Sequence, residues 1–209
     1  MRRIIRYSVF LLFFFLSCAA TREMVVDVAW APGKAPAKVG KGVRVTVQDF
    51  RDLREDRERI GVDYTSAADI KLSAPLSVAV TDIVTSAMKE AGIFPIIVKE
   101  TGKVSDYKDE YPADFHLQGD VEELFVSVKR KGLLAAISCR GRLFFSLYDR
   151  EGNLLWNGRF SSETTVSSPF SSEKGVEEAL SDTLSDIVRA FLSDPAVGQV
   201  LRGEESVTR

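Results

Sequence analysis

Histidine occurs once, at His116, and cysteine twice, at Cys18 and Cys139. A lone histidine cannot supply the two or more ligands at fixed spacing that a histidine-based metal site requires. Two cysteines, one of them next to an apolar leader, give no even set from which an exported domain could build a disulfide framework. There is no glycine-rich phosphate loop, no Gly-x-Ser-x-Gly elbow and no pair of carboxylates at a recognisable acid/base spacing. The expectation is a protein that is not an enzyme and needs no cofactor or metal. An excess of positive charge is also missing: 28 basic residues face 30 acidic ones, a formal net charge of −2. Three of the basic residues, Arg2, Arg3 and Arg6, lie at the very N terminus, so the remainder is more acidic still. That argues against general nucleic-acid binding, which needs a basic surface to displace counterions from phosphates. Finally, no apolar run approaches the roughly 20 residues that cross a bilayer.

The longest such run, Val9–Leu16, follows a basic n-region over residues 1–6 and has the length and flanks of a signal h-region. Ser17 and Cys18 come next, then Ala19 and Ala20. The segment Phe15-Leu16-Ser17-Cys18 resembles the lipobox of bacterial lipoproteins, although the pattern prefers Leu where this chain has Phe15. The resemblance implies a signal peptide over residues 1–17 and a diacylated Cys18 as the first residue of the mature chain. Ala19 rather than Asp after the cysteine implies the periplasmic face of the outer membrane. The alternative is ordinary cleavage after Ala20 and a soluble periplasmic protein. Residues 18–42 are expected to form a lipid-anchored flexible tether, because 31–42 is rich in Pro, Gly, Ala and Lys.

The body of the chain, residues 43–202, reads as one α+β domain, with a disordered tail over 203–209. Val43–Val47 alternates as a strand does. The densely charged stretch 49–59 is expected to be a solvated loop. Apolar residues from Leu76 to Ala91 share a helical face, with Ser73 as a candidate cap, Pro75 in the first turn and Gly92 at the C-terminal end. Phe94–Val98 reads as a short buried strand, parallel to the first through a right-handed crossover. Residues 100–113 read as a polar loop. A long alternating run starts at Phe115 and changes parity after Val121, which predicts a bulge near Glu122-Glu123. A turn at 129–132, a strand over 137–148, a glycine-bearing hairpin turn at 149–153 and a strand from Leu154 complete a meander. A last amphipathic helix spans 176–191, and Asp194-Pro195 starts a short extra one. The order β-α-β-β-β-β-α implies a mixed, mostly antiparallel sheet with both helices on one face.

With these elements in place, the chain resembles the YajG-type family of outer-membrane lipoproteins. The shared residues are Cys18, Pro32, a strand running into Asp49-x-Arg51, Ile60-Gly61, the helix from Pro75 to Gly92, and the meander turn with Asp149 and Gly152. The family is uncharacterised, so the resemblance implies an address and an architecture but no reaction. A more distant likeness, in element order alone, is to the lipopolysaccharide-assembly lipoprotein. It implies an accessory role in lipopolysaccharide assembly as the alternative function.

Two groups of residues are candidates for binding. Asp49 and Arg51 fall on one side of an extended segment, either as an ion pair that fixes the next loop or as a polar contact for a partner. On the meander, if Cys139, Leu143 and Phe145 point inward, then Arg140, Arg142, Phe144 and Tyr148 point outward, joined by Lys129 and Phe125. Basic and aromatic side chains together suit an anionic, partly apolar partner: an envelope protein, a glycan or lipopolysaccharide. The bland reading is a solvated face whose cations pair with Glu122, Glu123 and Glu163. His116, on the outward side of its strand, is expected at the surface, and Cys139 is expected to be a buried free thiol.

Overall fold

The computed structural model describes residues 22–31, 33, 42–99, 102–107 and 109–204. Cys18, Pro32 and the leader therefore lie outside the described residues, as does most of the proposed tether.

The strands are β1 (Arg22–Val26), β2 (Arg44–Gln48), β3 (Arg51–Asp52), β4 (Gly61–Asp63), β5 (Ala68–Leu72), β6 (Phe94–Val98), β7 (Phe115–Lys131), β8 (Leu134–Asp149) and β9 (Leu154–Ser168). The helices are α1 (Leu76–Glu90), α2 (Val104–Tyr107), α3 (Glu173–Ser193) and α4 (Pro195–Leu201). All nine strands form one mixed sheet, curled into a half-barrel. The expectation of a mostly antiparallel sheet is corrected: five of the eight strand pairings are parallel. Only β4–β5 and the two hairpins of the meander are antiparallel. The reason is β7. One of its edges is filled by β8, and the other takes β2, β3 and β4 in succession, all parallel to it.

The meander itself follows the reading of the sequence. Its strands run to 17, 16 and 15 residues. Strands that long accumulate right-handed twist and must curl to stay on one core. The register slips between Val121 and Glu123, where the apolar parity changes. An extra residue there leaves the ladder unpaired at one point and bends the strand. Gly152 closes the β8–β9 turn at a φ of 92°, a conformation in which a side chain is strained.

Four strands and one helix are additional to the expected order. β1 lies inside the segment assigned to the tether, so Arg22–Val26 is already part of the domain, which was expected to start at residue 43. Beyond β1, Asp27, Ala29 and Ala31 donate backbone N–H groups to Glu177, Ser181 and Ser185 along α3. The charged stretch after β2 is not a solvated loop either: it holds β3, and Arg54 within it is buried. β6 is an edge strand, and Phe94 and Ile97 are exposed rather than buried.

Both long helices pack on the same face, sharing one core with the sheet. Its centre is aromatic. Phe145 of β8 stacks on Phe191 of α3 with centroids 4.3 Å apart, while Phe50 and Phe160 meet Phe145 edge-on. Each such ring, taken out of water, stabilises the fold by roughly 1.5–3 kcal/mol. Ser172 caps α3 by accepting from the Gly175 N–H, and α4 starts as expected, Asp194 accepting from Ala196 and Val197 ahead of Pro195. The expected cap fails for α1. Pro75 itself is the N-cap, and the Ser73 hydroxyl donates instead to Asp27, tying β5 to the chain after β1.

Cys139 is fully buried and free. Burial pushes its thiol up to about 12, so it carries almost no thiolate at neutral pH and is chemically inert.

Candidate functional site

Alternation along β8 sends Cys139, Leu143, Phe145 and Leu147 into the core, each without exposure. Arg140, Arg142, Phe144 and Tyr148 therefore lie on the opposite side, as read from the sequence. Antiparallel pairing sets Phe125 beside Arg140 from β7 and Glu163 beside Arg140 from β9. Lys129 is two residues past Ser127 on the same side of β7. Phe125, Lys129, Arg140 and Glu163 line a groove of roughly 330 Å³ together with Tyr64, Ser127, Ala136 and Ser138; Arg142, Phe144 and Tyr148 are not in its wall.

The cations on this face are not equivalent. Arg159 forks onto Glu122 with two bonds of 2.6 Å and lies over the Phe144 ring at 5.6 Å. The guanidinium holds the Glu122 carboxyl below the usual carboxylate range. Arg142 pairs with Glu123 at 3.1 Å, and Arg140 reaches the same carboxylate only at 3.7 Å. Among the described residues Lys129 makes no ion pair; its ammonium stands 5.5 Å from the centre of the Tyr64 ring. Of the expected partners Glu122, Glu123 and Glu163, the first two engage Arg159 and Arg142, with Arg140 at the longer 3.7 Å. Glu163 lies across from Arg140 in the groove wall and Lys129 also faces the groove, neither with a direct ion pair among the described residues. A cation over an aromatic face, a second cation and a strip of apolar wall can take a negatively charged group attached to a greasy one.

Two further expectations are corrected. Arg51 does not pair with Asp49. It sits opposite Asp120 in the β3–β7 register and forks onto that carboxylate at 2.6 and 2.9 Å. That hydrogen-bonded ion pair raises the Arg51 pKa above its ordinary value. Asp49 uses its backbone N–H to hold Val98 of the edge strand at 3.3 Å. The Asp-x-Arg step therefore fastens β3 to β7. It is well away from the groove.

His116 is not at the surface. It does lie on the outward side of β7, but α2 and the following turn cover that end of the face. Tyr107 packs edge-on to its ring at 5.7 Å, and its Nδ1 shares a 2.7 Å hydrogen bond with Thr46 Oγ1. The same cover reaches Tyr148, which packs with Val98, Val104 and Tyr107 in a small second cluster. Tyr148 thus belongs to a covered end of the face, and the open groove lies at the other end, toward the β7–β8 turn. Tyr64 enters the groove from the β4–β5 turn, where no strand period points to it.

Among the described residues no helix is long and apolar enough to cross a membrane. No family model and no curated protein matches the sequence. Solved structures do match. The fold resembles that of a DUF330 protein. That relative comes from Xanthomonas campestris, with 14% identity, a TM-score of 0.58, and coverage of 88% of this chain and 99% of that one. A Chlamydia trachomatis protein follows at 10% identity and a TM-score of 0.52, covering 78% of this chain and 99% of its own. The lipoprotein GNA1162 from Neisseria meningitidis matches over 73% of this chain and 99% of its own at 13% identity. Its TM-score of 0.39 is too low to decide anything about this chain. Likeness at these identities is likeness of fold.

Proposed function

We propose that this chain is a non-enzymatic envelope lipoprotein of the YajG type, anchored through Cys18 to the periplasmic face of the outer membrane. Its outward groove binds an anionic, partly apolar envelope component. The observation that carries the binding role is the groove wall itself. Lys129 makes no ion pair among the described residues and Arg140 reaches a carboxylate only at 3.7 Å, beside Tyr64 and Phe125. Arg142 and Arg159 are held by Glu123 and Glu122, and among the described residues Glu163 is the one acid in the groove wall. The anchor rests on the order of n-region, apolar run and cysteine in the sequence.

The anchor is tested by mass spectrometry of the mature N terminus together with membrane fractionation. A diacylated Cys18 in the outer-membrane fraction is the expected result; a free N terminus beginning after Ala20 in the soluble periplasm would reject it. Binding is tested with a photo-crosslinking residue at Ser138 in living cells. An adduct is expected with the wild-type groove. The pair Lys129→Glu and Arg140→Glu should remove it without changing the melting temperature, since neither cation is buried. Losing two charge-assisted contacts weakens such a complex by about tenfold or more each. An undiminished adduct would clear the groove of any role. An accessory role in lipopolysaccharide assembly is the more specific version of this reading. Cations flanking an apolar strip suit a phosphorylated amphiphile, and an adduct containing lipopolysaccharide would select it.

A further inference from the structure

The β7–β8 tip and the turn between β9 and α3 together carry a concentration of exposed apolar surface. Leu133 is 96% exposed, Phe170 79% and Leu134 45%. They are not scattered: Leu133, Leu134, Pro169 and Phe170 line one shallow recess between the hairpin tip and the turn that leads into α3. Directly beneath this apolar tip, Lys129, Arg130 and Lys131 are all exposed. A chain with a net charge of −2 thus presents three consecutive cations around its most exposed hydrophobic residues. None of the three makes an ion pair among the described residues, although Glu163 shares the groove with Lys129. Asp63, across the β4–β7 pairing, is buried and taken up by the hydroxyls of Thr65, Ser66 and Ser171.

The strand register shows where this tip lies relative to the start of the domain. Arg22 is beside Ala68, Ala68 beside Asp63, and Asp63 beside Val128. Val128 is in turn beside Ile137, and Ile137 beside Val166. One row across the sheet therefore runs from the first described residue to the base of the hairpin tip. β1 leads away from that row, so the chain enters the domain at the end where the tip projects. Cys18 is four residues before Arg22 and can be no more than about 14 Å from it.

We propose that the β7–β8 tip and the Pro169–Phe170 turn are the surface by which this domain meets an anionic lipid bilayer, Leu133 and Phe170 entering the interface and Lys129–Lys131 engaging headgroups. Apolar side chains ringed by lysine and arginine are what an interfacial membrane contact uses. Each cation near an anionic surface strengthens such binding about fivefold. The contact fixes orientation: the groove described above opens along the same strands, immediately behind the bilayer surface. The inference rests on the tethered reading only in taking the chain to be held at a membrane.

The test uses the full chain, purified in detergent after export and reconstituted into phosphatidylethanolamine–phosphatidylglycerol vesicles with dibrominated acyl chains, which quench tryptophan on contact. Leu133→Trp should add fluorescence that is strongly quenched beyond the wild-type background. Leu154→Trp, half exposed at the opposite end of the meander, should not. Combining Leu133→Trp with Arg130→Glu and Lys131→Glu should abolish the extra quenching. If the vesicles float with the protein but Leu133→Trp is quenched no more than Leu154→Trp, the tip is not the membrane contact and the tether stands. A blue-shifted but unquenched Leu133→Trp would mean that the tip is covered by protein, which overturns the proposal equally. If the protein does not float with the vesicles at all, the tethered reading and the tip contact fall together.

Discussion

Gly61→Ala is expected to cost the fold at least about 3 kcal/mol, read as a fall in the urea midpoint with the slope unchanged. A Cβ built on Gly61 lies 2.0 Å from the Val126 backbone oxygen and 2.5 Å from Val126 Cγ1. The obstacle is a neighbouring strand's backbone, so no rotamer change relieves it. Gly61 is the residue that pairs β4 with Val126 of β7, and the Val126 N–H bonds the Ile60 carbonyl at 2.8 Å in the same place. Only three residues of β4 make this parallel pairing, and through it β5 and β1 join the rest of the sheet. Pushing β4 outward by an ångström or more therefore loosens three strands. At Gly42, with nothing within 4 Å, only the strain of its positive φ remains, so Gly42→Ala is expected to cost about 1–2 kcal/mol. A Gly61→Ala loss no larger than that would mean that the β4–β7 ladder yields freely.

The strand that Gly61 belongs to was not legible in the sequence. β4 is three residues long and has no period of its own to show. Its existence depends on β7 offering an edge, a fact of tertiary structure. β7, β8 and β9 were legible because 15 or more alternating residues leave little choice, and even the bulge announced itself as a change of apolar parity. The same alternation put Arg140, Arg142 and Phe144 on the correct face of the candidate site. It could not say how far that face stays open. Alternation tells which side His116 takes, but it does not tell that α2, read as part of a polar loop, folds across it. Nor can a period within one strand reveal that Tyr64, some 65 residues before Lys129, supplies the ring under that ammonium.

The charged stretch after β2 shows the same limit with the opposite sign, and it carries the second large prediction. By composition Asp52-Leu53-Arg54-Glu55-Asp56 belongs in water, and four of those residues are at least partly there. Arg54 is not: its side chain is only 7% exposed. Its guanidinium forks onto Asp52 at 2.9 and 2.8 Å, and Nη1 donates to the carbonyls of Arg59 and Leu124 at 3.0 and 3.3 Å. One side chain thus fastens both ends of the loop to β7. Arg54→Met keeps much of the volume but leaves Asp52 without its cation and two carbonyls without their donor. Breaking a buried pair from one side typically costs about 3–5 kcal/mol, and Asp52, 19% exposed, places this case at the lower end. Combining Arg54→Met with Asp52→Asn removes the uncompensated charge and should recover about 1 kcal/mol or more of the loss. The urea midpoints of the two single variants and the double variant measure that coupling. The coupling should also largely persist in 0.5 M salt, because the Arg54 side chain is buried and partly buried pairs are screened far less than exposed ones. A loss below about 1 kcal/mol that vanishes with added salt would be the signature of an ordinary surface pair. It would return this loop to the solvent, where its composition had placed it.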